Sequence, residues 1–189
     1  MSLTEDQLIS ALQKGDEHAF KWLVDTYQHM VYNTILGIVQ HPQEAEDVAQ
    51  EVFVQVYQSI AGFLGKSKLS TWLYRIAITK ALDWERHKKR KKRFGNLLFW
   101  STNTTDAIEN CADFEHPGWQ LNNKEMGIAL FKAIQQLPVN QKIAFVLHYT
   151  EELSYKDIAE IMAVSIAAVE GYLHRAKQQL KTALSTYQQ

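Results

Sequence analysis

The sequence holds a single cysteine, Cys111, so it can form no intrachain disulfide and no cysteine-rich zinc site. Proline is nearly as scarce, with only Pro42, Pro117 and Pro138, and the eight glycines are scattered, which leaves long stretches free of helix breakers. Val and Ile nowhere alternate with polar residues for long, as half-buried strands would require. Apolar runs fall far short of the ~18 residues of a membrane span, those around Ile143–Leu147 and Leu97–Trp100 included. Residues 1–16 carry carboxylates but neither a basic start nor an apolar stretch, so they do not read as a signal peptide. Net charge is low as well, 20 Lys and Arg against 21 Asp and Glu. The expectation is a soluble cytoplasmic protein without catalytic residues, cofactor or resident metal.

What is present is helical periodicity. Apolar residues recur at intervals of three and four: Val48, Val52, Phe53, Val56, Tyr57 and Ile60 form one stripe, Leu130, Ile134 and Leu137 a second, Ile158, Ile161 and Met162 a third. Helix punctuation agrees. Pro42, followed by Glu44, Glu46 and Asp47, suits a first turn, and Gly62 and Gly65 suit an end. Ser154 with Asp157 resembles a capping box, and Ser165 can cap the helix after it. Between 94 and 124 the period dissolves into a Ser/Thr/Asn-rich stretch of about 30 residues, too long for an ordinary loop. The predicted fold is all-α: two small helical domains, 1–93 and 125–189, joined by a flexible linker over 94–124.

The near-zero total conceals strong segregation. Residues 1–60 carry two basic and nine acidic side chains, whereas residues 61–93 carry eleven basic and two acidic. The basic block ends in seven cations within the eight positions Arg86–Arg93. Upstream, Phe63, Trp72, Tyr74 and Trp84 interleave with Lys66, Lys68, Arg75, Lys80 and Arg86. Cations that neutralise phosphates, beside rings that stack on unpaired bases, suit single-stranded or melting DNA. Trp72 and Trp84 are equally suited to packing a core.

In the acidic block, Glu44, Asp47 and Glu51 fall at i, i+3 and i+7 and share a helix face with Gln50 and Gln58 nearby. Such a face docks a basic protein surface or is simply solvated. A metal site fits less well, because no second helix completes the shell. Near the C-terminus, 154–177 reads as a helix-turn-helix, with Ala159 at the close approach and Ala163–Val164 at the turn. Its second helix, capped by Ser165, would expose Ala167, Ala168, Glu170 and Gly171 near its start. His174, Arg175 and Lys177 follow. Small residues that enter a major groove ahead of cations that grip phosphates fit DNA reading; a helical hairpin without DNA has the same core pattern.

These residues carry a family resemblance. Glu46-Asp-Val-Ala-Gln-Glu-Val-Phe53 and Ser70-Thr-Trp-Leu-Tyr-Arg-Ile-Ala77, with Asp83 and the basic tail, resemble the second region of sigma-70 factors. Leu137-Pro138, Ala144–Tyr149 and Leu153–Ala159 through Leu173-His-Arg-Ala176 resemble their fourth region. With no third region between them, the chain is similar to the extracytoplasmic-function (ECF) group. The resemblance implies a sigma factor directing bacterial RNA polymerase to promoters and aiding strand opening, a transcription factor rather than an enzyme. Asp47, Gln50, Glu51 and Phe53 would then dock on core polymerase. Phe63, Lys66, Trp72, Arg75, Thr79 and Lys80, with Arg86, Lys88, Lys89 and Arg90, would recognise and open the −10 element. The helix-turn-helix residues would read the −35 element, and an anti-sigma factor is a further implied partner. Two positions depart from the family. Thr79 stands where Asn is usual, and a single hydroxyl makes no bidentate base contact. Ala168-Val-Glu-Gly-Tyr172 stands where Thr-Val-Lys-Ser-Arg is usual, removing two cations from the reading helix. The rival reading is a helix-turn-helix repressor or activator that binds duplex operators without docking on polymerase.

Overall fold

A computed structural model describes residues 4–95 and 124–185. Most of the segment read as a linker lies outside the described residues, as does Cys111. Among the described residues the regular structure is helical, with no strand.

The first half is built of α1 (Glu5–Gln13), α2 (Glu17–Val39), α3 (Pro42–Ser59), a 3-10 turn (Ile60–Gly62) and α4 (Leu69–Gly95). Each start has a local chemical cause. Thr4 and Gln7 form a capping box for α1, and the Asp16 carboxylate accepts from the His18 and Ala19 amides at α2. His41 caps α3, and Pro42 occupies its first turn, where a missing N–H costs nothing. The Leu69 amide at the start of α4 donates to Glu5 Oε1 (2.6 Å), so a side chain from α1 caps a helix 64 residues away. Gln13 Nε2 donates to Phe63 O (2.8 Å) and ties the same strap to the loop before α4.

Helices α2, α3 and α4 form a bundle around Leu23, Val31, Ile35, Val52, Leu73 and Ala77, all fully buried. On α3 the buried face is Ala45, Val48, Ala49, Val52 and Val56. The predicted stripe is corrected at Tyr57, which is 57% exposed and meets Phe20 edge to face (5.1 Å) at the rim of the bundle. At 100° per residue, it lies one position round from Val56.

The second half comprises α5 (Lys124–Gln135), α6 (Val139–Tyr149), α7 (Tyr155–Met162) and α8 (Ile166–Leu184). Val169, Leu173, Ala176 and Leu180 give α8 a buried stripe against which the other three helices pack. Helix α7 ends on Ala163 in the left-handed conformation (φ 53°), the helix-turn-helix position expected from the sequence.

The two halves are not separate bodies. Ile143, Ala144 and Leu147 of α6 and Ile158 and Ile161 of α7 belong to the same apolar cluster as the α2–α4 bundle. Gly37 of α2 faces Val146 of α6 so closely that an added Cβ would lie 2.7 Å from a Val146 methyl. Polar contacts line the seam. Lys142 Nζ pairs with Glu85 Oε1 at 2.9 Å, with the two side chains 6% and 14% exposed. Tyr74 Oη donates to Glu151 Oε2 (3.0 Å), and Gln40 Nε2 donates to Phe131 O (3.1 Å).

Candidate nucleic-acid interface

The acidic face of α3 forms where its apolar residues turn inward. Asp47, Gln50 and Glu51 are exposed and line a shallow recess with Val54, Gln55, Gln58 and Lys80. Val54 is 57% exposed, an apolar centre that residue-type reasoning missed because it looks like part of the core stripe. Phe53, expected on the docking face, is half-buried against the bundle and does not line this recess. Lys80 approaches Glu51 (3.4 Å), an exposed pair worth little to stability. Glu44 is withdrawn from the recess: its Oε2 accepts from the indole of Trp84 (2.9 Å). Among the described residues no three His, Cys, Asp or Glu side chains converge closely enough to hold a metal ion.

The basic segment separates into two kinds of side chain. Phe63 is buried and stacks at a tilt on half-buried Trp72 (4.9 Å), while Trp84 is partly buried, with its N–H satisfied by Glu44. These rings therefore support the bundle in this conformation, and Phe63 offers no free face for a base. Leu64, by contrast, is 76% exposed, beside exposed Lys66 and Lys68 in the loop that Gln13 anchors. The sequence signal is that Leu64 directly precedes Gly65 and the polar run Lys66–Lys68, outside any helical stripe.

Along α4, Arg86, Lys89 and Arg90 border one shallow recess with Asp83, whereas Lys88 lies on another face beside Trp84 and Glu85. Arg86 pairs with Asp83 (2.9 Å), Lys89 approaches Glu85 (3.9 Å), and Lys88 lies 4.3 Å from the Trp84 ring. Arg90 is exposed. Thr79 spends its hydroxyl on the Arg75 carbonyl (2.7 Å), one turn back, so that proton is already engaged. Arg75 is drawn across the seam: Nη2 donates to Glu160 O (2.6 Å) and Nε to Ile161 O (3.3 Å). Those carbonyls end α7, where intrahelical donors run out and the dipole is negative.

The residues expected from the sequence to form a second DNA surface lie on α8. Ser165 Oγ accepts from the Ala168 amide (3.2 Å) and fixes the helix start. Ala167, Glu170, His174, Arg175 and Lys177 are exposed and, with half-buried Gly171 and Tyr155, border a shallow groove, whereas half-buried Ala168 lies outside it. Arg175 lies over the Tyr172 ring (5.5 Å), close enough to Gly171 that a Cβ there would sit 3.3 Å from its guanidinium. Lys177 reaches toward Tyr149, a contact that raises its pKa. The helix presents a small-residue start, one carboxylate and then cations, a layout suited to a groove and its phosphates.

Family models match both halves of the chain, and known proteins match most of its length. Residues 23–92 match the model of Sigma-70 region 2, and residues 128–180 match that of Sigma-70, region 4. The RNA polymerase sigma-H factor of Pseudomonas aeruginosa is 34% identical over 180 residues, covering 95% of this chain and 93% of that protein. The ECF RNA polymerase sigma factor SigW of Bacillus subtilis is 31% identical, covering 97% and 98%. The fold resembles that of the sigma factor RpoE solved with the anti-sigma factor NepR from Bartonella quintana (TM-score 0.67, 20% identity, 88% and 96% covered). It also resembles CnrH solved with the cytosolic domain of CnrY (TM-score 0.67, 19% identity, 96% and 97% covered).

Proposed function

The chain belongs to the sigma-70 family, in its extracytoplasmic-function group, and from this we propose how a sigma factor's work divides between its two halves. A sigma factor directs RNA polymerase to specific promoters and aids promoter melting. Residues 1–93 take core polymerase and the −10 element, residues 125–189 take the −35 element, and 94–124 joins them.

The exposed α3 face of Asp47, Gln50 and Glu51, with Val54 at its centre, docks a basic surface of core polymerase. The Leu64–Lys68 loop and the α4 cations take the opened −10 strand, and the exposed face of α8 takes the −35 duplex. The observation that carries this reading is the pairing, on one chain, of an acidic docking face with two separate cationic DNA surfaces. A duplex-only repressor has no use for the first. Binding energy, not bond-making, is what the chain contributes: the melted promoter is favoured because unpaired bases and phosphates are held together. Core polymerase and promoter DNA are its partners, an anti-sigma factor is a further one, and it works in the cytoplasm. Among the described residues no helix is long and apolar enough to cross a membrane.

The test is stoichiometric co-purification with core polymerase, followed by run-off transcription on fragmented genomic DNA. Asp47→Lys with Glu51→Lys should abolish co-purification while leaving the helical signal intact. A wild-type chain that binds duplex DNA as a dimer and ignores polymerase would establish the repressor reading instead.

A further inference from the structure

Helix α8 carries a carboxylate where contact with DNA makes one costly. Ala167, Glu170, Gly171 and His174 fall at i, i+3, i+4 and i+7 and share a face. At 1.5 Å per residue that face is about 10 Å long, or about three base pairs at ~3.4 Å each. All four border the same shallow groove, and Glu170 is exposed there. Its neighbours on the face are a methyl group at Ala167 and a bare Cα at Gly171, which let the backbone come close to a groove floor.

Roles within the protein do not account for this side chain. Among the described residues no hydrogen bond or ion pair engages the Glu170 carboxylate. The nearby cations are engaged elsewhere: Arg175 lies over the Tyr172 ring (5.5 Å), and Lys177 reaches toward Tyr149 (5.3 Å). Tyr172 is itself tied down, its Oη accepting from Asn140 Nδ2 (3.4 Å). Glu170 is the fifth residue of α8, past the first turn in which the helix dipole favours a carboxylate. Brought between two rows of phosphates, it exchanges its water for repulsion unless a base donates a hydrogen bond to it.

The chemistry of base edges narrows the donor. In the major groove guanine shows N7 and O6 and thymine shows O4, acceptors that set lone pairs against a carboxylate. Adenine shows an amine beside the N7 acceptor, so one carboxylate oxygen meets a donor and the other a lone pair. Cytosine shows its N4 amine alone. We propose that Glu170 is a specificity-determining residue of the −35 contact, accepting from the N4 amine of a cytosine and rejecting the other three bases at that pair. This rests on the reading of α8 as the −35 helix and deepens it by naming a base.

A promoter recovered by run-off transcription supplies the test. Each base pair of its −35 element is changed in turn to the other three, and affinity of the polymerase complex for each duplex is read by fluorescence anisotropy. With the wild-type chain one C·G pair should resist replacement, each change there lowering affinity about 5- to 150-fold. Glu170→Ala should level the four bases at that pair while the other positions keep their preferences. Glu170→Gln should move the preference at the same pair to adenine, because an amide pairs with both N6 and N7. Ala and Gln are both good helix formers, so α8 survives either change. Lys177→Gln is the contrast: loss of a phosphate contact should weaken all the duplexes by a similar factor. Glu170 variants that keep the wild-type preference at every pair, or that shift affinity for all duplexes alike, overturn the assignment. So does a wild-type complex that transcribes with no base preference in the −35 element, which leaves the sigma-factor reading standing. Failure of that reading looks different and takes this proposal with it: the wild-type chain then neither co-purifies with core polymerase nor yields a transcript.

Discussion

Lys88, Lys89 and Arg90 are successive cations of α4, and replacing all three by Gln should flatten the salt dependence of promoter binding by the polymerase complex. The structure sets the size of the effect. Gln keeps the helix, being nearly as good a helix former as Lys or Arg. Glu85, which Lys89 approaches, is held closer by Lys142 (2.9 Å) than by Lys89 (3.9 Å). Lys89 therefore keeps most of its charge for a phosphate. Each phosphate neutralised contributes about 0.9 to the slope of log affinity against log salt on duplex and about 0.7 on single strands. Losing three contacts thus lowers the slope by about 2–3, so that between 50 and 200 mM salt the wild type loses about 20- to 40-fold more affinity than the variant. Fluorescence anisotropy of the reconstituted complex on a promoter fragment, titrated across that range, reads the slope directly. Arg86→Gln is the contrast, since Arg86 already pairs with Asp83 (2.9 Å) and should change the slope by less than a full contact. An unchanged slope in the triple variant refutes the assignment of these cations to phosphates.

Three other perturbations have defined outcomes. Ala163→Gly removes the strain of a Cβ at φ 53° and should stabilise the protein by about 0.5–1 kcal/mol in urea denaturation. Leu173→Ala, at a site 1% exposed on the buried face of α8, should cost about 2–5 kcal/mol in the same assay. The third concerns pH. Burial raises the Glu151 carboxyl from 4.5 to about 7, partly offset by the Tyr74 hydroxyl that donates to it, and its Oε1 is buried without a partner. Asp157, which adds negative charge near Tyr74, is approached by Lys68 (4.0 Å). With the acid's pKa higher when docked than when open, the docked form binds more protons between the two values. Docking should therefore be strongest below about 4.5, weaken as pH rises toward 7 and level off above it. The total loss is on the order of 3 kcal/mol at most. Scattering across pH checks this, and Glu151→Gln should remove the dependence.

Local features were legible because their causes are local. Pro42, Ser154 and Ser165 begin helices through a fixed φ or a side-chain cap within three residues, and Ala163 ends one where the motif requires a left-handed residue. The α8 stripe follows from its spacing. Periodicity says that a face is buried but not against what, and the misplacements follow from that. Trp72 and Trp84 are by residue type equally apt for DNA and for packing, and only the fold turns Trp72 onto Phe63 and the Trp84 indole onto Glu44. Tyr57 sits one step off the buried face, a 100° difference that apolar character alone does not resolve. Lys142 reads as a solvated cation, yet it is buried because Glu85 lies on a helix that the sequence does not connect to it. Gly37 carries no motif; its meaning depends wholly on Val146.

The continuous core has a consequence for synthesis. Everything the α1–α4 bundle needs, including the Glu5 cap on Leu69, has been translated by Gly95, whereas the α6 residues that complete the core end at Tyr149. At ~5–20 residues per second, a ribosome takes about 3–11 s to add the residues between. For those seconds each nascent chain carries a finished N-terminal half with the apolar ground around Gly37 bare. A protein meeting the chain on the ribosome finds it open, whereas one meeting it after release must first undo the seam. The order of encounter is thus set by where along the chain the second half of the core is encoded.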